Sequence, residues 1–129
     1  MDYPTGKRDT SYAIPNGVVT VGDSAFIKNA FLQQISIPAT VTTIGDWAFA
    51  RSGLTSLVIP DTVTTIGSGI AQECRSLVTA SVGNGVAVLP YRTFEQCTSL
   101  TTVTLGSNIK EFGTRIFFNC TALTSVNLP

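Results

Sequence analysis

The chain has 129 residues, with eight Lys and Arg against eight Asp and Glu, no His and only 12% charged residues. Zero net charge argues against nucleic acid or an anionic membrane as the partner, because both are usually bound by a basic face. The absence of His removes the commonest general base and metal ligand, and no apolar run approaches the roughly 18 residues needed for membrane insertion.

An apolar residue followed by Pro or Gly recurs along the chain at a nearly constant interval. Successive pairs are 23, 22, 23, 23 and 23 residues apart, and they begin at Ile14, Ile37, Ile59, Val82, Leu105 and Leu128. The short interval indicates a one-residue deletion near Ser52 and Gly53, in a turn-prone position. This period predicts a single array over residues 1–129, with a lead-in at 1–13 and repeats at 14–36, 37–58, 59–81, 82–104 and 105–127.

Each repeat is predicted to hold two short strands and a turn segment. It ends in Leu-x-x-apolar-x-apolar, as at Leu54, Leu57 and Ile59, and the last two apolar positions have the spacing of a strand. A Pro or Gly turn and a second extended run, such as 41–44, come next. The segment after that, such as 46–49, is too short for a stable helix and is predicted to form one helical or 3₁₀ turn.

These elements resemble the BspA-like leucine-rich repeat family of bacterial surface proteins. Residues 54–67 carry Leu-x-x-Leu-x-Ile-Pro and Val-x-x-Ile-Gly, Ala48 and Phe49 carry the next element, and 97–100 carry Cys-x-x-Leu. The resemblance implies a leucine-rich repeat solenoid, a curved right-handed superhelix with short parallel strands on its concave face and extended and 3₁₀ or helical turns on its convex side. It also implies a secreted or cell-surface location. The final strand ends where another repeat would start, which favours a fragment of a longer array.

The sequence predicts no enzyme, no catalytic residue, no cofactor and no metal site. Cys74, Cys97 and Cys120 recur at one phase and are predicted to be buried free thiols, because parallel side chains on neighbouring rungs disfavour a disulfide. No CxxC pair or His is available for zinc.

One position departs from an aromatic column. Ala71 stands where the other repeats have Phe26, Phe49, Phe94 and Phe117. Either Ile70 fills the lost volume, or a small cavity beside Gly69 admits a ligand.

The most informative predicted surface is the strand face. The positions beside its inward residues are almost uncharged and form two columns: Gln34, Ser36, Ser56, Val58, Thr79, Ser81, Thr102, Thr104, Ser125 and Asn127. One interpretation is a generic sheet surface, since Thr and Ser suit strands. The functional hypothesis is a protein-binding or adhesion surface for a host extracellular-matrix or surface protein. The alternative is a structural spacer that self-associates through uncapped ends.

Overall fold

The computed structural model describes residues 9–127 as short strands joined by turns. The strands are β1 Ser11–Ala13, β2 Thr20–Val21, β3 Gln34–Ser36, β4 Thr43–Ile44, β5 Ser56–Ile59, β6 Thr65–Ile66, β7 Thr79–Val82, β8 Val88–Leu89, β9 Thr102–Thr104, β10 Glu111–Phe112 and β11 Ser125–Asn127. Each repeat contributes one odd-numbered and one even-numbered strand, as the apolar pattern predicts.

All strand pairs are parallel and join neighbouring repeats. The odd-numbered strands form the ladders β1-β3 and β5-β7-β9-β11, and the even-numbered strands form β2-β4-β6 and β8-β10. Ala80, for example, lies between Leu57 and Val103 of the flanking repeats. The predicted solenoid is therefore confirmed. Strand β1 lies in the predicted lead-in, and it pairs with β3 as the first strand of the odd-numbered ladder.

The odd-numbered ladder is interrupted between β3 and β5, beside the deletion. In longer repeats a leucine N–H closes a turn, as between Leu77 and the Cys74 carbonyl at 3.2 Å. In the shortened repeat, the Gly53 N–H instead donates to the Asn29 carbonyl of the preceding repeat at 3.0 Å. A side chain on Gly53 would collide with the Ala30 carbonyl. The backbone of the shortened repeat therefore lies directly against the backbone of the preceding repeat, which only glycine allows.

The even-numbered ladder is interrupted between β6 and β8, where Pro90 replaces glycine. At the matching positions, the N–H groups of Gly45, Gly67 and Gly113 each donate to the carbonyl at the end of the preceding even-numbered strand, at 2.7–2.9 Å. Proline has no N–H, so this bond cannot form in the fourth repeat.

The core is one continuous apolar column along the stack. Val21, Ile44 and Leu89 are at most 1% exposed, and they follow the period seen in the sequence. Phe26 and Phe49 lie with ring centres 5.4 Å apart, which places aromatic packing directly between repeats.

The turn segments differ from the expected helical or 3₁₀ turn, and no helix occurs anywhere in residues 9–127. In the first repeat, the N–H groups of Ser24, Phe26 and Lys28 donate to carbonyls of the next repeat at 2.7–2.8 Å. The intervening N–H groups of Ala25 and Ile27 close turns onto the third preceding residue at 3.2 Å. Because alternate N–H groups point to the neighbouring repeat, a helical ladder cannot form.

This alternation requires positive φ at two positions in every turn segment, four residues apart. One column is Ser24, Trp47, Gly69, Arg92 and Arg115, and the other is Lys28, Arg51, Glu73, Gln96 and Asn119. Nine of these ten residues are not glycine, so each carries a conformational cost that the bonds between repeats offset.

Candidate functional site

The four-stranded ladder places most of the predicted binding positions in register. One column runs through Ser56, Thr79, Thr102 and Ser125, and the other through Val58, Ser81, Thr104 and Asn127. Gln34 and Ser36 lie on the separate ladder, where they pair with Ser11 and Ala13. We call the outward surface of the odd-numbered strands the strand face.

Ser11 and Ala13 were missed as members of the strand face because residues 1–13 were assigned to a lead-in. The signal was present, since Ser11 to Ala13 are followed by Ile14 and Pro15, the strand ending of the later repeats. The basic pair Lys7 and Arg8 in the same lead-in lies outside the described residues.

The strand face is uncharged and mostly polar. A third column lies beside it, in which the Thr101 and Thr124 hydroxyls donate to carbonyls of the preceding repeat at 3.2 and 3.1 Å. The Thr79 and Thr102 hydroxyls make no side-chain hydrogen bond within residues 9–127, and Val58 on the edge strand β5 is 62% exposed. The face therefore offers hydroxyl and amide groups and, at Val58, one large apolar side chain to a partner.

The three cysteines are free, as the sequence predicts, and they reinforce the stack. Cys74 and Cys97 are buried and Cys120 is half-buried. Their thiols donate to carbonyls of the preceding repeat at 3.0, 3.1 and 3.0 Å. Burial raises the pKa of all three thiols, so they remain protonated near neutral pH.

The space beside Gly69 is occupied by Trp47. A side chain on Gly69 would meet the indole Nε1 of Trp47 at 2.6 Å, and that Nε1 donates to Gln72 at 2.8 Å. Ile70 and Ala71 are both 0% exposed. Of the two explanations for Ala71, the structure supports local repacking. Ile70 is buried in the core, and the partly exposed Trp47 covers Gly69 on the surface.

The turn segments 22–31, 45–53, 67–76, 90–99 and 113–122 form a second surface, which we call the turn ridge. Five of the six Lys and Arg in the described part of the chain lie on it: Lys28, Arg51, Arg75, Arg92 and Arg115. Sequence composition could not reveal this clustering, because four carboxylates in the same segments balance most of the positive charge. Two of them, Asp23 and Asp46, accept backbone N–H groups of the next repeat at 2.8 and 2.9 Å.

Two carboxylates organise the cations of the ridge. Glu95, only 2% exposed, accepts bonds from Arg115 at 2.6 Å and Gln72 at 2.9 Å, and Arg92 lies 3.5 Å away. The hydrogen bond to Glu95 raises the pKa of the Arg115 guanidinium. Glu73 similarly lies between two arginines of its own. The pairs Arg51–Glu73 and Arg115–Glu95 cross-link neighbouring repeats along the turn ridge.

No group of three or more side chains suited to holding a metal ion occurs among residues 9–127. Over that same range, no helix is long and apolar enough to cross a bilayer.

Parallel strands one repeat apart, an aliphatic column inside them and a Cys-containing column beside the turn define a leucine-rich repeat solenoid. Residues 7–129 match the family described as BspA type leucine rich repeat region, in six copies. The chain therefore belongs to this family. Such arrays generally act as non-enzymatic scaffolds that mediate protein interactions. Among curated proteins there is no match.

Solved structures of bacterial proteins share the fold. A leucine-rich repeat protein from Eubacterium ventriosum is 37% identical, with a TM-score of 0.92 over 99% of this chain and 35% of that one. One from Bacteroides ovatus is 26% identical, with a TM-score of 0.67 over 93% and 37%. A leucine rich cell surface protein from Faecalibacterium prausnitzii is 27% identical, with a TM-score of 0.59 over 92% and 41%. The chain thus spans 35–41% of the length of these relatives.

Proposed function

We propose that the chain is a non-enzymatic protein-binding module of a bacterial cell-surface protein, which attaches to a host or extracellular-matrix protein through its strand face. The observation that carries the proposal is the register of its two columns. Thr79 and Thr102 lie side by side, as do Ser81 and Thr104, so four neighbouring strands present one continuous uncharged surface. Membership of the family and the surface protein of Faecalibacterium prausnitzii support the location.

The side chains of the strand face favour binding through many similar weak contacts, one set from each repeat. Small hydroxyl groups bury little area each, and the face has no Trp, Tyr or Arg to act as a dominant anchor. Affinity then comes from many weak contacts along an extended segment of the partner, and from further repeats in a longer protein. A charge placed in the middle of such a surface has no counter-charge and loses its hydration on binding.

The experiment replaces Thr102 and Thr104 together by Lys and measures binding to immobilised collagen, fibronectin and laminin by surface plasmon resonance. We expect the variant to bind whichever protein the native chain binds about tenfold more weakly or worse, since two uncompensated charges are buried. The control replaces Thr42 and Thr64, exposed positions beside β4 and β6, by Lys and should bind normally.

Equal binding by the native chain and the Thr102 and Thr104 variant would refute the strand-face proposal. Sedimentation velocity over a hundredfold range of concentration separates it from the spacer alternative. A native chain that binds none of these proteins and dimerises with rising concentration would favour self-association.

A further inference from the structure

Two adjoining depressions lie on the turn ridge, away from the strand face. The first, which we call the Trp47 groove, has a volume of about 250 Å³ and is lined by Ile27, Lys28, Trp47, Ala50, Arg51 and Gln72. The second, which we call the notch, has a volume of about 470 Å³ and is lined by Ala30, Arg51, Ser52, Gly53, Glu73, Arg75 and Ser76. Arg51 lines both, so the two depressions adjoin each other at this side chain.

Both depressions arise from local departures from the repeat pattern. The floor of the Trp47 groove is Ala50, the smallest residue of a column that otherwise holds Ile27, Gln72, Glu95 and Phe118. The notch opens where the shortened repeat has Gly53 in place of two residues such as Arg75 and Ser76. These features occur once in the described part of the array, whereas the strand face repeats.

The two depressions differ in chemistry. The Trp47 groove has apolar walls, with Trp47 39% and Ile27 36% exposed, which is high for such large apolar side chains. The notch is cationic, because Arg51 and Arg75 converge on the single carboxylate of Glu73. Lys28 adds a third positive charge, so the lining side chains carry an excess of two.

The arginines of the notch keep donors for a ligand. Glu73 accepts from the Nε of Arg51, and the two terminal nitrogens of Arg51 carry four further N–H groups. The side chains of Arg51 and Arg75 are 56% and 60% exposed, against 18% for Glu73. A guanidinium pair of this kind matches the two oxygens of a carboxylate.

We propose that the Trp47 groove and the notch together bind an acidic peptide segment of a partner protein. One apolar side chain of the segment enters the Trp47 groove, and a neighbouring carboxylate bonds to Arg51 and Arg75. The strand face lacks charge, so this site recognises a different chemistry and gives the module a second, independent contact on a different part of the coil.

Trp47 is the only tryptophan in the chain, so its fluorescence reports on the groove directly. The probes are three blocked tetrapeptides: acetyl-Glu-Leu-Glu-Glu-amide, acetyl-Gln-Leu-Gln-Gln-amide and acetyl-Glu-Gly-Glu-Glu-amide. The first should shift the emission to shorter wavelength in a saturable way, because its Leu displaces water from the indole. The other two should bind about tenfold more weakly, and raising the salt from 0.05 to 0.5 M should weaken the first several-fold.

Variants then separate the two halves of the site. Replacing Arg51 and Arg75 together by Gln should weaken the acidic peptide about tenfold. Ala50→Gln introduces the residue found at the same column in the next repeat and fills the groove, so the Leu and Gly peptides should then bind equally. Arg115→Gln is the matched control, since it also removes an arginine that pairs with a glutamate of the ridge.

The proposal fails if the acidic peptide leaves Trp47 emission unchanged, or if its neutral counterpart binds equally well. It also fails if Arg115→Gln weakens binding as much as replacement of Arg51 and Arg75 does. That result would indicate that the acidic peptide is attracted by the positive charge of the whole turn ridge. An oligogalacturonate that shifts the emission where the acidic peptide does not would assign the site to acidic glycans and contradict a peptide partner. Far-UV circular dichroism confirms that each variant is folded.

Discussion

The substitution Gly67→Ala tests whether close backbone contact at the corners holds the repeats together. A Cβ at this position would lie 2.5 Å from the Asp46 nitrogen and 2.8 Å from its Cα, atoms of the preceding repeat that cannot rotate away. Crowding of this kind costs about 1–3 kcal/mol. The displacement also breaks the 2.9 Å bond from the Ser68 N–H to the Asp46 carboxylate, worth about 1.5–3 kcal/mol.

Replacing glycine by alanine also lowers the conformational entropy of the unfolded chain, which stabilises the folded state by only about 0.4–1 kcal/mol. The net expectation is therefore a fall of about 3 kcal/mol in the free energy of unfolding, measured by urea denaturation with Trp47 fluorescence and circular dichroism as joint probes. Ser68→Ala keeps every backbone bond at the corner and should change stability by less than about 0.5 kcal/mol.

Combining Gly67→Ala with Asp46→Ala shows whether backbone or side-chain atoms of Asp46 cause the loss of stability. In Asp46→Ala, the carboxylate is absent but the Asp46 backbone still blocks the new methyl group, so Gly67→Ala should still cost about 1–3 kcal/mol. If Gly67→Ala has no effect in that background, or costs under about 1 kcal/mol in the native chain, the corner contacts do not limit the approach of the repeats.

Three further predictions concern the turn ridge and the core. Gln96→Gly should raise the free energy of unfolding by about 1 kcal/mol in urea denaturation, because Gln96 has a φ of 61°; a loss of stability would contradict the cost assigned to that backbone. Phe94→Ala should cost about 3–5 kcal/mol by the same measurement and Phe117→Ala less, because Phe94 is 0% exposed and Phe117 half-buried; equal losses would be inconsistent with this packing. Burial raises the pKa of Cys97 above its ordinary value of 9.0, so its contribution to stability is complete below pH 9 and is lost as the pH rises further. Denaturation at pH 7 and 10.5 should therefore show a smaller alkaline loss for Cys97→Ala than for the native chain, and an identical loss would refute the linkage.

The period of the sequence was sufficient to predict the ladders. Apolar residues such as Ala80 and Val82 alternate with polar ones, and the same phase recurs one repeat later at Val103 and Leu105, so both the inward face and the register follow. The deletion was also readable, because the columns shift by one residue after Ser52. The physical reason is that each rung repeats the same side-chain geometry, which makes sequence phase equivalent to position in space.

The turn segments could not be predicted in the same way. Their path depends on the sign of φ at single residues, and bulky residues such as Trp47 and Arg92 give no sequence signal of a left-handed conformation. The interruption near Pro90 concerns hydrogen bonds between two repeats, and it becomes visible only when the neighbouring carbonyls are placed. The neutral composition also hid the cations of the ridge, because net charge does not show where on a coil the individual charges lie.

The most direct test of the strand-face proposal is a threonine-methyl NMR spectrum of the chain, recorded with and without the matrix protein that it binds most tightly. We predict that the methyl signals of Thr79, Thr102 and Thr104 shift or broaden on binding, while those of Thr42 and Thr64 do not. Changes confined to Thr42, Thr64 and the indole of Trp47 would contradict the proposal and place the partner elsewhere on the solenoid.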